Sequence, residues 1–118
     1  MLYTNLKHIE TSAECARIIK ENENVMIVCG WMWPFSIPVY RIAEELETEF
    51  SHVKFFDMEY DNPESGIIRN MPEVQHLAGF PLTVYFKDGI VVHVTSGIQT
   101  LKQITQILEH EFSETMNA

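Results

Sequence analysis

The chain has 118 residues, 46% of them apolar and 21% charged, the balance of one globular domain and not of a disordered segment. Seventeen acidic residues against eight basic leave a net charge of −9. A phosphate backbone or an anionic lipid surface would meet repulsion, which argues against a nucleic-acid or membrane partner.

A chain of this size buries about two-thirds of its unfolded surface, so it needs neither disulfides nor a metal to fold. Residues 25–40 carry no charge, but Gly30, Pro34, Ser36 and Pro38 interrupt them and the run is too short to span a bilayer. The first ten residues have no apolar run behind a basic start, so no secretory signal is visible and a cytoplasmic location is expected. Cys15 and Cys29 show no C-x-x-C spacing and no paired Cys/His spacing, so both are expected as reduced thiols.

Residues 6–9 have the character of a weak first strand. Thr11 or Ser12 with Glu14 resembles a helix cap, and Ala13, Cys15, Ile18 and Ile19 follow on one helical face. The polar break at 21–24 ends that helix. Residues 25–29 are wholly apolar, as a central strand covered on both faces requires. Pro34 suits the first position of a second helix, in which Val39, Ile42, Ala43, Leu46 and Phe50 recur at helical spacing, with Glu44, Glu45, Glu47 and Glu49 opposite them. A strand over 53–60 ends at the turn Asp61-Asn62-Pro63. Residues 64–79 read as a helix in two pieces, Pro72 opening the second and Gly79 suiting its end.

Two further strands, 82–86 and 90–94, flank Lys87-Asp88-Gly89, and Asp-Gly between apolar runs is the strongest short-range hairpin pattern. Gly97 breaks the second of them. Thr100 with Gln103 then forms a capping box for a last helix bearing Leu101, Ile104, Ile107, Leu108 and Phe112, and the tail from Ser113 is polar and expected to fray. This alternation predicts one α/β domain over 1–118: a mixed central β-sheet with helices on both faces.

The string Gly79-Phe80-Pro81-Leu82-Thr83, its strand, Lys87-Asp88-Gly89, then Gly97 and an amphipathic helix resemble the C-terminal half of a thioredoxin. The N-terminal half is similar in kind: an apolar strand, a Trp-containing loop, and a helix interrupted by Pro38. The resemblance covers roughly residues 11–112 and implies a thioredoxin-like fold with Pro81 as a cis-proline beside the active site. The segment between Pro63 and Pro81 is longer than in a typical thioredoxin, which marks a divergent branch.

The family's redox dithiol is missing. Counting back from Pro38 places the pair at Gly30 and Trp33; counting forward from the strand end places it at Trp33 and Ser36. Neither register holds a cysteine. Dithiol chemistry needs one low-pKa thiolate to attack a disulfide and a second thiol to resolve the product. The family's buried Asp on the strand before the active site has no counterpart at 25–28 either. No catalytic residue is expected beyond Cys29, a weak candidate for a single-thiol redox role; as an apolar strand residue upstream of the helix start, it is read first as a core packer. A Cys15–Cys29 disulfide is not favoured.

Trp31, Met32, Trp33, Pro34 and Phe35 form an apolar loop that the resemblance places beside Pro81. In thioredoxins this surface holds an extended client, the residue before the cis-proline pairing with it by strand addition. Trp, Met and Phe are interface residues. The expected patch is Trp31, Trp33, Phe35, Phe80, Pro81 and Gly97, serving a protein or extended peptide in a non-catalytic chaperone-like or adaptor role; the same aromatics folded inward would instead fill the core. A homodimer through the Trp loop is a further reading. No cofactor or metal is expected: the five histidines show no ligand spacing, and Asp57, Glu59 and Asp61 read as a solvated strand edge without a calcium-loop pattern.

Overall fold

The computed structural model describes residues 2–34 and 36–113; Phe35 and the tail from residue 114 lie outside the described residues. Five strands, β1 (Lys7–Ile9), β2 (Asn24–Gly30), β3 (Lys54–Glu59), β4 (Leu82–Lys87) and β5 (Ile90–Ser96), form one sheet in the order β1-β3-β2-β4-β5. The first three strands run parallel, β4 runs antiparallel to β2, and β5 antiparallel to β4. Helices α1 (Ser12–Glu21), α2 (Ile37–Glu49), the single turn α3 (Gly66–Arg69) and α4 (Leu101–Glu111) cover both faces. This is the mixed α/β architecture that the alternation of elements predicts.

The local reasons are legible. Thr11 caps α1, its hydroxyl accepting the Glu14 N–H at 3.0 Å. Thr100 and Gln103 satisfy each other's backbone N–H at the start of α4. Asp88 and Gly89 both take positive φ, 53° and 82°, the pair of left-handed residues that a two-residue hairpin turn needs.

Every residue of β2 is buried, because the strand is central and covered on both sides. Val25, Ile27 and Cys29 enter a core with Cys15 and Ile18 of α1 and Ile68 of α3. Met26 and Val28 enter the opposite core with Val39, Tyr40, Ala43 and Leu46 of α2 and Ile104, Leu108 and Phe112 of α4. No helix among the described residues is long and apolar enough to cross a membrane.

Four expectations are corrected. The second helix starts at Ile37, not Pro34: the Trp33 carbonyl accepts the N–H of both Ser36 and Ile37, making a tight turn first, and Pro38 is the proline in the opening turn. Residues 64–79 are not two helices but short 3-10 turns at Pro63–Ser65 and Pro72–Val74 around α3. Met71, preceding Pro72, is held extended at ψ 136°, as the pyrrolidine ring demands of the residue before it, and the helix cannot continue. Ala13 is exposed rather than on the inner face of α1, and Leu101 is 43% exposed at the open end of α4.

Candidate functional site

Gly30 ends β2, paired with Glu59 of β3, while its neighbour Cys29 pairs with Leu82 of β4. The Phe80–Pro81 peptide leading into β4 is cis. A Cβ on Gly30 would lie 2.8 Å from the Pro81 Cβ and 3.0 Å from the Tyr40 hydroxyl, so only glycine lets the strand end approach this proline. Gly97, at φ 79°, donates its N–H to the Pro81 carbonyl at 3.0 Å and closes the far side. The Phe80 N–H and C=O make no backbone hydrogen bond among the described residues.

The loop after Gly30 divides its side chains. Met32 packs on the α2 core. Trp31 stacks on Trp33 with ring centroids 4.5 Å apart and planes 13° from parallel. Trp31 also meets Tyr60 at 4.5 Å and the edge of Phe80 at 4.7 Å, and Tyr60 meets Phe80 at 4.7 Å. Such offset and edge-on pairs are worth about 0.5–1.5 kcal/mol each beyond the area they bury. Trp31, Tyr60 and Phe80 are half-buried, and Trp33 is 45% exposed. The aromatics therefore neither sink wholly into the core nor stand out singly: they form a self-supporting platform beside the cis peptide.

Tyr60 was absent from the residues expected here. It sits one residue beyond β3, and its N–H donates to the Gly30 carbonyl at 2.9 Å, which places its ring against Trp31. Its position opposite the strand end is a tertiary fact, without a local motif to announce it. Arg69 lies 5.5 Å over the Tyr60 ring and donates from Nε to the Ser65 hydroxyl at 2.6 Å; that hydroxyl in turn donates to the Tyr60 carbonyl at 2.7 Å.

The two proposed dithiol registers land differently. Gly30 lies within β2, whereas Trp33 and Ser36 bracket the turn that opens α2. Ser36 is fully buried, and its hydroxyl has no hydrogen-bond partner among the described residues. Both cysteines are free and buried in the α1-side core. Burial pushes the Cys29 thiol up to about 12, outweighing the nearby Arg69 charge that favours a thiolate. Burial, with Glu14 adding to it, pushes Cys15 to about 11. Neither is the exposed, electropositive thiol that nucleophilic chemistry requires.

Asp57 is a further correction. It is not on a solvated edge but fully buried in β3, facing α2 with Phe55. Its two oxygens accept from the Thr4 hydroxyl and, at 2.6 Å, from His8 Nδ1. Burial raises its carboxyl above the ordinary range, although the Thr4 and His8 contacts oppose the rise; the Glu44 charge adds to it. Residues 25–28 do lack a carboxylate, but the neighbouring strand buries one, opposite Val28 in register. Asp61 is exposed. Among the described residues no group of three or more His, Cys, Asp or Glu side chains is placed to hold a metal ion.

No family model and no curated protein matches this sequence. Solved structures do match it. A chain from work on the thiol-resolving mechanism of yeast mitochondrial 1-Cys peroxiredoxin via glutathione/thioredoxin systems superposes with a TM-score of 0.76 at 22% identity, over 93% of this chain and 99% of that one. Plasmodium falciparum thioredoxin gives 0.71 at 23% identity, over 90% and 99%. Fasciola hepatica thioredoxin gives 0.68 at 25% identity, over 90% and 100%. The protein has a thioredoxin-like fold.

Proposed function

We propose that this thioredoxin-fold protein holds an extended peptide or protein segment without disulfide chemistry, as a chaperone-like or adaptor module. The observation that carries the reading is the platform of Trp31, Trp33, Tyr60 and Phe80 packed beside the cis Phe80–Pro81 peptide. A client strand running along Phe80 would pair with main-chain groups that no other backbone uses among the described residues, while the platform takes its apolar side chains. Gly97 borders this strip through its bond to Pro81. Large, half-desolvated aromatics at the centre of a patch are the residues that dominate binding energy.

The absence of cysteine at Gly30, Trp33 and Ser36 favours binding over catalysis. A single-thiol role for Cys29 finds no support in a fully buried sulfur whose proton is held up to about pH 12.

The test is fluorescence-anisotropy titration of an overlapping panel of labelled 15-residue peptides against wild type, Trp33→Ala and Trp31→Ala. Truncating a binding anchor costs about 2 kcal/mol or more, so affinity is expected to fall by roughly thirtyfold for each variant. Circular dichroism confirms that each variant folds. Unchanged affinity in both would remove the platform from the function. A parallel insulin-reduction assay in dithiothreitol is expected to show no acceleration; acceleration abolished by Cys29→Ser would restore the single-thiol reading.

A further inference from the structure

The ends of β4, β2, β3 and β1 lie side by side, so that Pro81, Gly30, Glu59 and Glu10 follow one another across them. At about 4.8 Å per strand, Pro81 and Glu10 stand roughly 14 Å apart, the reach of about four extended residues. The aromatic platform takes up the first part of this row, through Phe80, Trp31 and Tyr60. The far part is acidic. Residues 8–16 and 55–68 contain no Lys or Arg, but include Glu10, Glu14, Asp57, Glu59, Asp61 and Glu64. Asp57 is committed to Thr4 and His8, and Glu64 to Ser12. Glu10 and Asp61 are exposed, and no ion pair among the described residues uses either. Glu10 and Glu59 also border a cleft of about 280 Å³ that Leu2 and Ile9 line with hydrocarbon.

We propose that the segment held on the platform is cationic. Its apolar side chains rest on the aromatics, while a Lys or Arg a few residues away reaches the carboxylates of Glu10, Glu59 and Asp61. The inference rests on the binding reading above and names the chemistry of the occupant.

Charge complementarity selects this occupant. The cleft suits a long basic side chain, whose aliphatic stem can lie on Leu2 and Ile9 while its charged head stays with carboxylates and water. The chain's net charge of −9 adds attraction for a cation at longer range. An acidic segment would be repelled by both. One cation already stands on the platform: Arg69 lies 5.5 Å over the Tyr60 ring, held there by the Ser65 hydroxyl and the Pro63 carbonyl. A client arginine can make the same kind of contact with Trp33, which is 45% exposed.

Three labelled peptides test this against the whole chain. They share one extended Val-Phe-Val core and differ only in the residue pairs flanking it, Lys, Gln or Glu, set about four residues from its centre. Fluorescence anisotropy at about 0.05 M salt is expected to rank them Lys, Gln, Glu, with roughly tenfold between first and last. Raising the salt to about 0.5 M is expected to shrink that gap to about twofold or less. Glu10→Gln, Glu59→Gln and Asp61→Asn combined are expected to close most of the gap. The same variant should keep the Gln peptide's affinity within about twofold, which also reports that it is folded. Trp33→Ala is expected to weaken all three peptides alike. Equal affinity for the Lys and Glu peptides, with Trp33→Ala still weakening both, would overturn this proposal and spare the platform. A Lys preference that survives the triple substitution would overturn it too, assigning the preference to net charge alone. Binding of none of the three would overturn both readings.

Discussion

The two sides of the central sheet bury different chemistry. Toward α1 and α3 the strands β2, β3 and β4 present Val25, Ile27, Cys29, Phe56, Met58, Leu82, Val84 and Phe86, which are hydrocarbon and sulfur alone. Toward α2 and α4 the same strands present Met26, Val28, Phe55 and Tyr85, but also Asp57 and Thr83, and the start of α2 adds Tyr40 and, just before the helix, Ser36. The hydroxyls of Ser36, Tyr40, Thr83 and Tyr85 have no hydrogen-bond partner among the described residues. Buried polar atoms without partners are costly, and natural proteins tolerate them chiefly near functional sites. Here Ser36 and Tyr40 lie at the end of α2 that meets Gly30 and Pro81. The α1 side is built for stability, and the α2 side gives some of it up next to the candidate site.

The sharpest way to break this contrast is Ile27→Ala. Truncating a fully buried side chain in the apolar core is expected to cost about 2–5 kcal/mol in urea denaturation. A loss below about 1 kcal/mol would mean that the α1 side is not closely packed.

Alkaline pH gives an intermediate effect. Cys15 and Cys29 keep their protons in the folded chain up to about 11 and about 12, while the unfolded chain releases them near the ordinary thiol value of about 8.5. The folded state then holds more protons, so this contribution to stability is complete below about pH 8.5 and is lost as pH rises toward the folded values. Buried Tyr40 and Tyr85, also shifted upward, act in the same direction. The urea midpoint is expected to fall between about pH 8 and about pH 10.5, and native-state alkylation at about pH 8 to be slow for both thiols. A flat profile or rapid alkylation would contradict the buried-thiol geometry.

The smallest effect sharpens the polar side. Thr83→Val removes an unpartnered hydroxyl while keeping the branched shape, and is expected to stabilise the protein by about 1 kcal/mol. Destabilisation would show that the hydroxyl has a partner, such as an ordered water.

The elements readable in the sequence share one property: the residues that decide them are close in the chain. The Asp88-Gly89 hairpin, the Thr100/Gln103 capping box and the uniformly apolar β2 were all legible, because turn conformation, capping and strand burial are local or nearly so. Residues 64–79 read as a helix in two pieces because Pro72 suits a helix start and Gly79 a helix end, whereas the backbone demands around Pro63 and Pro72 allow only single turns. Of the site, Trp31, Trp33, Phe80, Pro81 and Gly97 were named from the loop and the resemblance. Tyr60 was not, and Asp57 was placed on a solvated edge although it is buried, since each depends on which strand lies beside which.

The sequence by itself determined an acidic α/β domain, the hairpin, the caps and the absence of a C-x-x-C pair, because composition, turn chemistry and periodicity act within a few residues. Only the tertiary structure decided that Trp31 stacks with Trp33, Tyr60 and Phe80, that Gly30 must be bare to meet Pro81, and that Asp57 is buried beneath Thr4 and His8. Those outcomes follow from the parallel pairing of β1, β3 and β2 and the antiparallel pairing of β2 with β4, which bring together residues some thirty to fifty positions apart and change what each side chain meets: water, an aromatic ring, or another chain segment.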